Sequence, residues 1–179
     1  FWSSFKDDFL GFPVPNRLVG PNGRDGNWGY LAGGRFAVAD DEAVLVTLDP
    51  AGSYYTGFQI TDPWTIAPDP MLRLASLNKS QCVLNSDGTV TYAIALADPG
   101  IANWIDTCGL HDGWMLTRWQ GVPADAAMEP LIREVRLVKL DAIPGDIPRV
   151  DLDHRRAQIA KRASGFAMRT SAVGWQDAT

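Results

Sequence analysis

The sequence predicts a mainly β fold: an antiparallel, jelly-roll-like β-sandwich with a loop-rich N-terminal arm and a C-terminal amphipathic helix. Short β-rich runs recur along the middle of the chain, separated by Gly, Pro and Asp clusters and without helical segments between them. Helical periodicity is confined to the end, where the charge also changes sign. The length of 179 residues suits one core with an appended element. We divide it into an arm (1–35), a sandwich (36–148) and a basic helix with its tail (149–179).

Gly, Pro and Asn clusters such as Pro13-Val14-Pro15 and Gly20-Pro21-Asn22-Gly23 punctuate the arm, so loops are expected there. Residues 43–48, Ala-Val-Leu-Val-Thr-Leu, have the composition of a strand buried on both faces, and residues 54–60 read as its returning strand. Asp62-Pro63-Trp64 and Pro68-Asp69-Pro70 predict a long loop, because proline lacks the ladder donor and restricts the residue before it. Residues 80–84 and 89–96 flank Asn85-Ser86-Asp87-Gly88, which reads as a hairpin with Asp-Gly at its turn. Residues 114–119 and 135–140 read as two further strands.

From Asp151, a plausible N-cap, Leu152, Ile159, Ala163 and Phe166 recur at helical spacing, with arginines and lysine on other faces. Residues 149–169 hold six basic and two acidic residues, which leaves −9 on the remainder of a chain whose net charge is −5. The helix is therefore expected to dock on an acidic body, its own or a neighbour's, making a homo-oligomer or assembly with another part of a longer parent chain the favoured partnership. No basic stripe crosses the body, which argues against nucleic acid.

No apolar run approaches the ~20 residues of a membrane-spanning helix, so no transmembrane segment is expected. Two cysteines cannot build a disulfide scaffold or a four-thiolate zinc site, although a Cys82–Cys108 bridge would be open to an exported protein; a cytoplasmic location is favoured. The chain opens on Phe1-Trp2-Ser3 without Met or a leader pattern, which predicts the remainder of a longer polypeptide.

Ser76-Leu77-Asn78-Lys79-Ser80-Gln81, Asn85-Ser86-Asp87-Gly88-Thr89-Val90, Asp98-Pro99-Gly100 and Asn103-Trp104-Ile105-Asp106-Thr107 together resemble the bacterial family catalogued as domain of unknown function 1214. Gly109, Gly113 and Arg118-Trp119 continue the likeness, as do Phe58-Gln59 and Trp64 upstream, over roughly residues 54–119. The resemblance implies a jelly-roll-like sandwich lying C-terminal in a longer protein, often beside a domain of unknown function 1254. It implies no established reaction.

The densest polar cluster is Asn103 to Thr107 with His111, Asp112 and Arg118. One reading makes it a catalytic site, with Asp106 orienting His111 as general base and Arg118 holding a carboxylate or oxyanion. The structural alternative has Asp106 and Thr107 capping a turn, Arg118 pairing with Asp106, and Asn103 satisfying loop backbone groups. Seven tryptophans also suggest a ligand platform drawn from Trp28, Trp64, Trp104, Trp114 and Trp119, although core or subunit-interface packing is the favoured account of them. Within one strand Trp114 and Trp119 have opposite parity, so at most one faces the core. Trp64, Asn103, Trp104 and Trp114 are the candidate ligand contacts. His111 with Asp106, Asp112 and Asp98 matches no ligand spacing, so no metal is expected, and neither is a cofactor. The leading functional expectation is a domain that binds a small apolar or carbohydrate ligand or completes an oligomer. The alternative is a cofactor-independent hydrolase, lyase or isomerase at Asp106, His111 and Arg118.

Overall fold

A computed structural model of the chain describes residues 12–23, 29–126 and 131–172. Among the described residues, nine strands form two sheets, followed by one helix, α1 (Leu152–Ala172). The strands are β1 (Arg17–Gly23), β2 (Tyr30–Ala37), β3 (Glu42–Leu48), β4 (Tyr55–Thr61), β5 (Ser76–Asn78), β6 (Val90–Ala95), β7 (Trp104–Asp106), β8 (Asp112–Gln120) and β9 (Ile132–Lys139). One sheet has the order β1-β2-β8-β4-β5 and the other β7-β6-β3-β9. The expected mainly β, two-sheet fold is present. All pairings are antiparallel except β6 with β7, which run parallel.

The sheets face each other across a core where Phe58 of β4 stacks on Tyr92 of β6, ring centroids 4.6 Å apart. Alternation decides the rest. On β8, Met115, Thr117 and Trp119 point inward, opposite Ile60, Phe58 and Thr56 of β4, while Leu116, Arg118 and Gln120 point outward. Strand β3 is buried on both faces, as its composition predicts.

Several expectations change. The supposed arm contains two strands, β1 and β2, because its glycines let backbones approach rather than breaking them: a Cβ on Gly34 would lie 2.0 Å from the carbonyl oxygen of Arg17. Residues 54–60 do not return along β3. Strand β4 crosses to the other sheet and pairs with β8 and β5.

The hairpin is also replaced. The Asn85–Gly88 turn is closed by Asn85 N donating to Thr89 O at 2.8 Å, but residues 80–84 form no strand. Asn78 and Gln81 cap a 3₁₀ turn over Lys79–Gln81, each side chain accepting from the other end of the turn, and this local bonding outcompetes extension.

The helix begins as expected, with Asp151 Oδ1 accepting from His154 N at 2.8 Å. Its anchoring differs, since Leu152 is exposed and the most deeply buried described residue of the helix is Arg155. Arg155 donates to both carboxylate oxygens of Asp98, to the carbonyls of Ile101 and Ala102 and to Gln158 Oε1, and its guanidinium lies 5.3 Å from the Trp104 ring centroid. Two turns later Arg162 donates to Pro70 O, Ser76 O and Ser76 Oγ at 2.7 to 2.8 Å. The helix thus docks on its own body, along the side where β7 and β5 lie. No described helix is long and apolar enough to cross a membrane.

Candidate functional site

Asp106 closes β7 and is buried, with its carboxylate gripped by Arg73: Nε to Oδ2 at 2.5 Å and Nη2 to Oδ1 at 2.9 Å. Its Oδ1 also accepts from Cys108 N at 2.8 Å, across a turn where Cys108 takes a φ of 57°. The bond to Asp106 holds the Arg73 guanidinium even further into its charged range. Arg73, a residue outside the expected cluster, is therefore the partner that Arg118 was expected to be. His111 lies on the β7–β8 connection, its Nδ1 2.9 Å from Val38 O and its exposed Nε2 3.6 Å from Asp40. Arg118 projects from the outer face of β8. The three side chains expected to converge have separate surroundings, and no shared acid–base centre forms from them.

The carboxylate of Asp98 is bound by Arg155, and Asp112 lies 3.6 Å from Arg35. Both cysteines are free thiols, so the possible bridge between them is not formed. Cys82 Sγ lies 3.5 Å from the Tyr92 hydroxyl, and burial pushes its thiol from an ordinary 9.0 up to about 11. The folded thiol therefore stays protonated where the unfolded one ionises. Its contribution to stability is complete below pH 9 and is lost as pH rises from there to about 11. At pH 8 iodoacetamide should modify Cys82 in the native protein roughly a hundredfold more slowly than in urea, as read by peptide mass spectrometry. Equal rates would show that the thiol is not held in a buried site.

The tryptophans do not share a platform. Trp119 is in the core, with Nε1 donating to Asp49 O at 2.8 Å. Trp114 lies on the opposite face as its parity requires, yet it is also buried, packed on Phe12 with its Nε1 bonded to Pro63 O. Trp104 is buried under Arg155 and donates to Ala95 O. Trp64 is 54% exposed on the loop after β4, and Trp28 lies outside the described residues. Asn103 is buried: its amide bridges both backbone groups of Val83 and also donates to Thr91 O. It pins the segment before the Asn85–Gly88 turn to the sheet.

A groove of about 970 Å³ does form, between α1 and the outer face of the five-stranded sheet. Its floor is a checkerboard of outward positions: Tyr55, Gly57 and Gln59 of β4, and Leu116, Arg118 and Gln120 of β8. The absence of a side chain at Gly57 leaves room in the middle of this floor for Tyr55. A Cβ there would lie 2.4 Å from the Tyr55 hydroxyl, so the Tyr55 ring occupies the space over the glycine. The opposite wall is one face of the helix, from His154 through Gln158 and Lys161 to Arg169.

Four cationic side chains line the groove, Arg118, Lys161, Arg162 and Arg169, and no described carboxylate does. Arg162 is committed to Pro70 and Ser76, and burial pulls its pKa down. Among the described residues, Arg118, Lys161 and Arg169 have no ion-pair or hydrogen-bond partner, and neither do the amides of Gln59 and Gln120. Of the expected site residues, only Arg118 belongs to this groove. Strand parity could have placed Gln59 and Gln120 beside it. The helix wall could not be assigned from sequence, because nothing local says which strand face α1 covers.

No protein-family model matches the chain, and no curated protein matches it. Among solved structures, it is similar to an uncharacterized protein from Burkholderia cenocepacia, with 29% identity and a TM-score of 0.66 over 79% of this chain and 39% of that one. The VPA0106 protein from Vibrio parahaemolyticus matches with 13% identity and a TM-score of 0.45 over 64% of this chain and 33% of that one. The chain thus spans about two fifths of the Burkholderia protein.

Proposed function

We propose that this chain is a binding domain that takes a polar, negatively charged small molecule into the groove between α1 and the β4/β8 face. The observation that carries this reading is the excess of uncompensated positive charge in one concavity: cations line it, no described carboxylate does, and the chain as a whole is acidic. Arg169 acts on Arg162 as a like charge, opposed in part by Asp69 outside the lining, and a bound anion relieves that repulsion. Of the expected apolar or carbohydrate ligand, this lining favours the polar kind. The loop site around Asp106, His111 and Arg118 is a weaker basis for an enzyme, since each group already has separate surroundings.

The test is titration of the labelled protein with citrate and with galacturonate, followed by amide NMR at low and moderate salt. Saturable shifts should map to β4, β8 and α1, weaken as salt screens the charges, and shrink at least fivefold in affinity in Arg118→Gln. Arg118 is exposed and unpaired among the described residues, so its loss should leave the fold intact. Absence of saturable binding, or shifts confined elsewhere, would overturn the reading.

A second reading has its own support. The similar Burkholderia protein is longer than this chain, which fits a domain that works as one part of a larger protein. The likeness to domain of unknown function 1214 agrees with that, and we propose membership of that family on the sequence motifs together with the two-sheet fold.

A further inference from the structure

Resting on the anion-binding reading above, we infer that the groove holds an acidic oligosaccharide, a chain of uronate-type sugars lying along α1. The first argument is extent. The helix wall runs from His154 to Arg169, 15 positions further along the chain, which at the α-helical rise makes a trough about 22 Å long. Its volume of about 970 Å³ lies at the top of the ~300–1,000 Å³ range of small-molecule sites, more than a lone monosaccharide or phosphate would fill.

The second argument is the pairing of functions in the lining. Arg118 stands on the floor while Lys161 and Arg169 stand two helical turns apart on the wall, so positive charge is spread along the trough instead of focused on one point. A single phosphate would call for convergence; repeated carboxylates call for spacing. On the floor the side-chain amides of Gln59 and Gln120 lie to either side of the Arg118 row, and they can donate and accept at once, as sugar hydroxyls also do. Tyr55, lying across Gly57, supplies an aromatic surface within the same floor.

The third argument concerns the main competitor. An extended acidic peptide would gain affinity by adding to the edge of β5, but the carbonyl of Ser76 on that strand already accepts from Arg162. On the β4/β8 face a ligand meets outward side chains, which suits a sugar chain better than a peptide backbone.

The experiment is calorimetry of the full chain with galacturonate, tetragalacturonate, neutral maltotetraose and hexaglutamate. Tetragalacturonate should bind at least tenfold more tightly than the monomer, and maltotetraose should not compete. Hexaglutamate should bind at least tenfold more weakly than tetragalacturonate. The exposed double variant Lys161→Gln/Arg169→Gln should erase the gain from monomer to tetramer while leaving monomer binding at Arg118 in place. Gln59→Ala should weaken tetragalacturonate but leave hexaglutamate unchanged. If monomer and tetramer bind equally, or hexaglutamate matches the tetramer, the inference is overturned while the anion site stands. If neither the uronates nor citrate binds, both fall together.

Discussion

Replacing Arg155 with alanine should destabilise the protein by about 3 kcal/mol and release α1 from the body. The guanidinium is almost fully buried and fills five hydrogen-bonding roles, to the two oxygens of Asp98, to Ile101 O, to Ala102 O and to Gln158, besides lying over Trp104. Removal leaves two inward carbonyls without these donors and the Asp98 carboxylate without its counter-charge. Asp98 keeps 26% side-chain exposure, so water compensates part of the loss, which places the effect toward the lower end of the ~3–5 kcal/mol range for breaking a buried pair. Urea denaturation should show the lower midpoint, with a melting temperature reduced by roughly 6–12 °C for a chain of this size. Arg155→Lys keeps the charge but not the fork, and should recover less than half of the loss. Because α1 is one wall of the groove, Arg155→Ala should also abolish anion binding although Arg155 lies outside the lining. A stable variant with intact binding would show that the helix is held by other contacts.

Asn103→Ala should cost about 2–4 kcal/mol and leave the groove's affinity unchanged in the fraction that remains folded. The Asn103 side chain accepts from Val83 N at 2.8 Å and donates to Val83 O and Thr91 O at 2.8 and 3.1 Å. Alanine would strand the Val83 N–H and deprive the carbonyls of Val83 and Thr91 of a donor; Asn103 is 1% exposed and Val83 46%, and each group left unmet carries a penalty of about 1 kcal/mol or more. Asn103→Asp is the informative companion, since it can still accept from Val83 N but cannot donate to the two carbonyls and buries a charge. It should be at least as destabilising as alanine. If either variant kept wild-type stability but lost ligand, Asn103 would return to the list of binding residues.

The β-rich runs, the Pro-bounded loop and the capped terminal helix were all legible, because each rests on local physics: side-chain parity, the missing proline donor, and a carboxylate accepting from a helix N-terminus. The errors came where nearby groups could be satisfied in more than one way. Residues 80–84 look like a strand by composition, but Asn78 and Gln81 offer a shorter-range bonding scheme, and Asn103, 20 positions away, takes over the backbone of Val83. The glycines of the first 35 residues look like breaks, yet they serve as places where one strand can lie against another.

The site was legible only in fragments. Arg118 was identified for its charge, but its expected companions Asp106 and His111 are near it in sequence and not in surroundings. Asp106 was claimed by Arg73, 33 residues upstream, and no spacing rule anticipates such a pair. The basic character of residues 149–169 was plain, as was its tendency to seek an acidic body. That it would do so through two arginines, one reaching the β6–β7 connection and the other the β5 edge, depends on carbonyls exposed only once the sheets have formed.

By itself, then, the sequence determined the mainly β character, the opposite parity of Trp114 and Trp119 within β8, and a cationic helix at the end, all of which follow from short-range periodicity and charge. Only the tertiary structure decided that this helix lies across the outer face of β4 and β8, bringing Lys161 and Arg169 into the groove with Arg118. The physical reason is that a groove is a relation between surfaces. Its members share no spacing in the chain, and they meet because Arg155 and Arg162 fasten the helix to acceptors on the body.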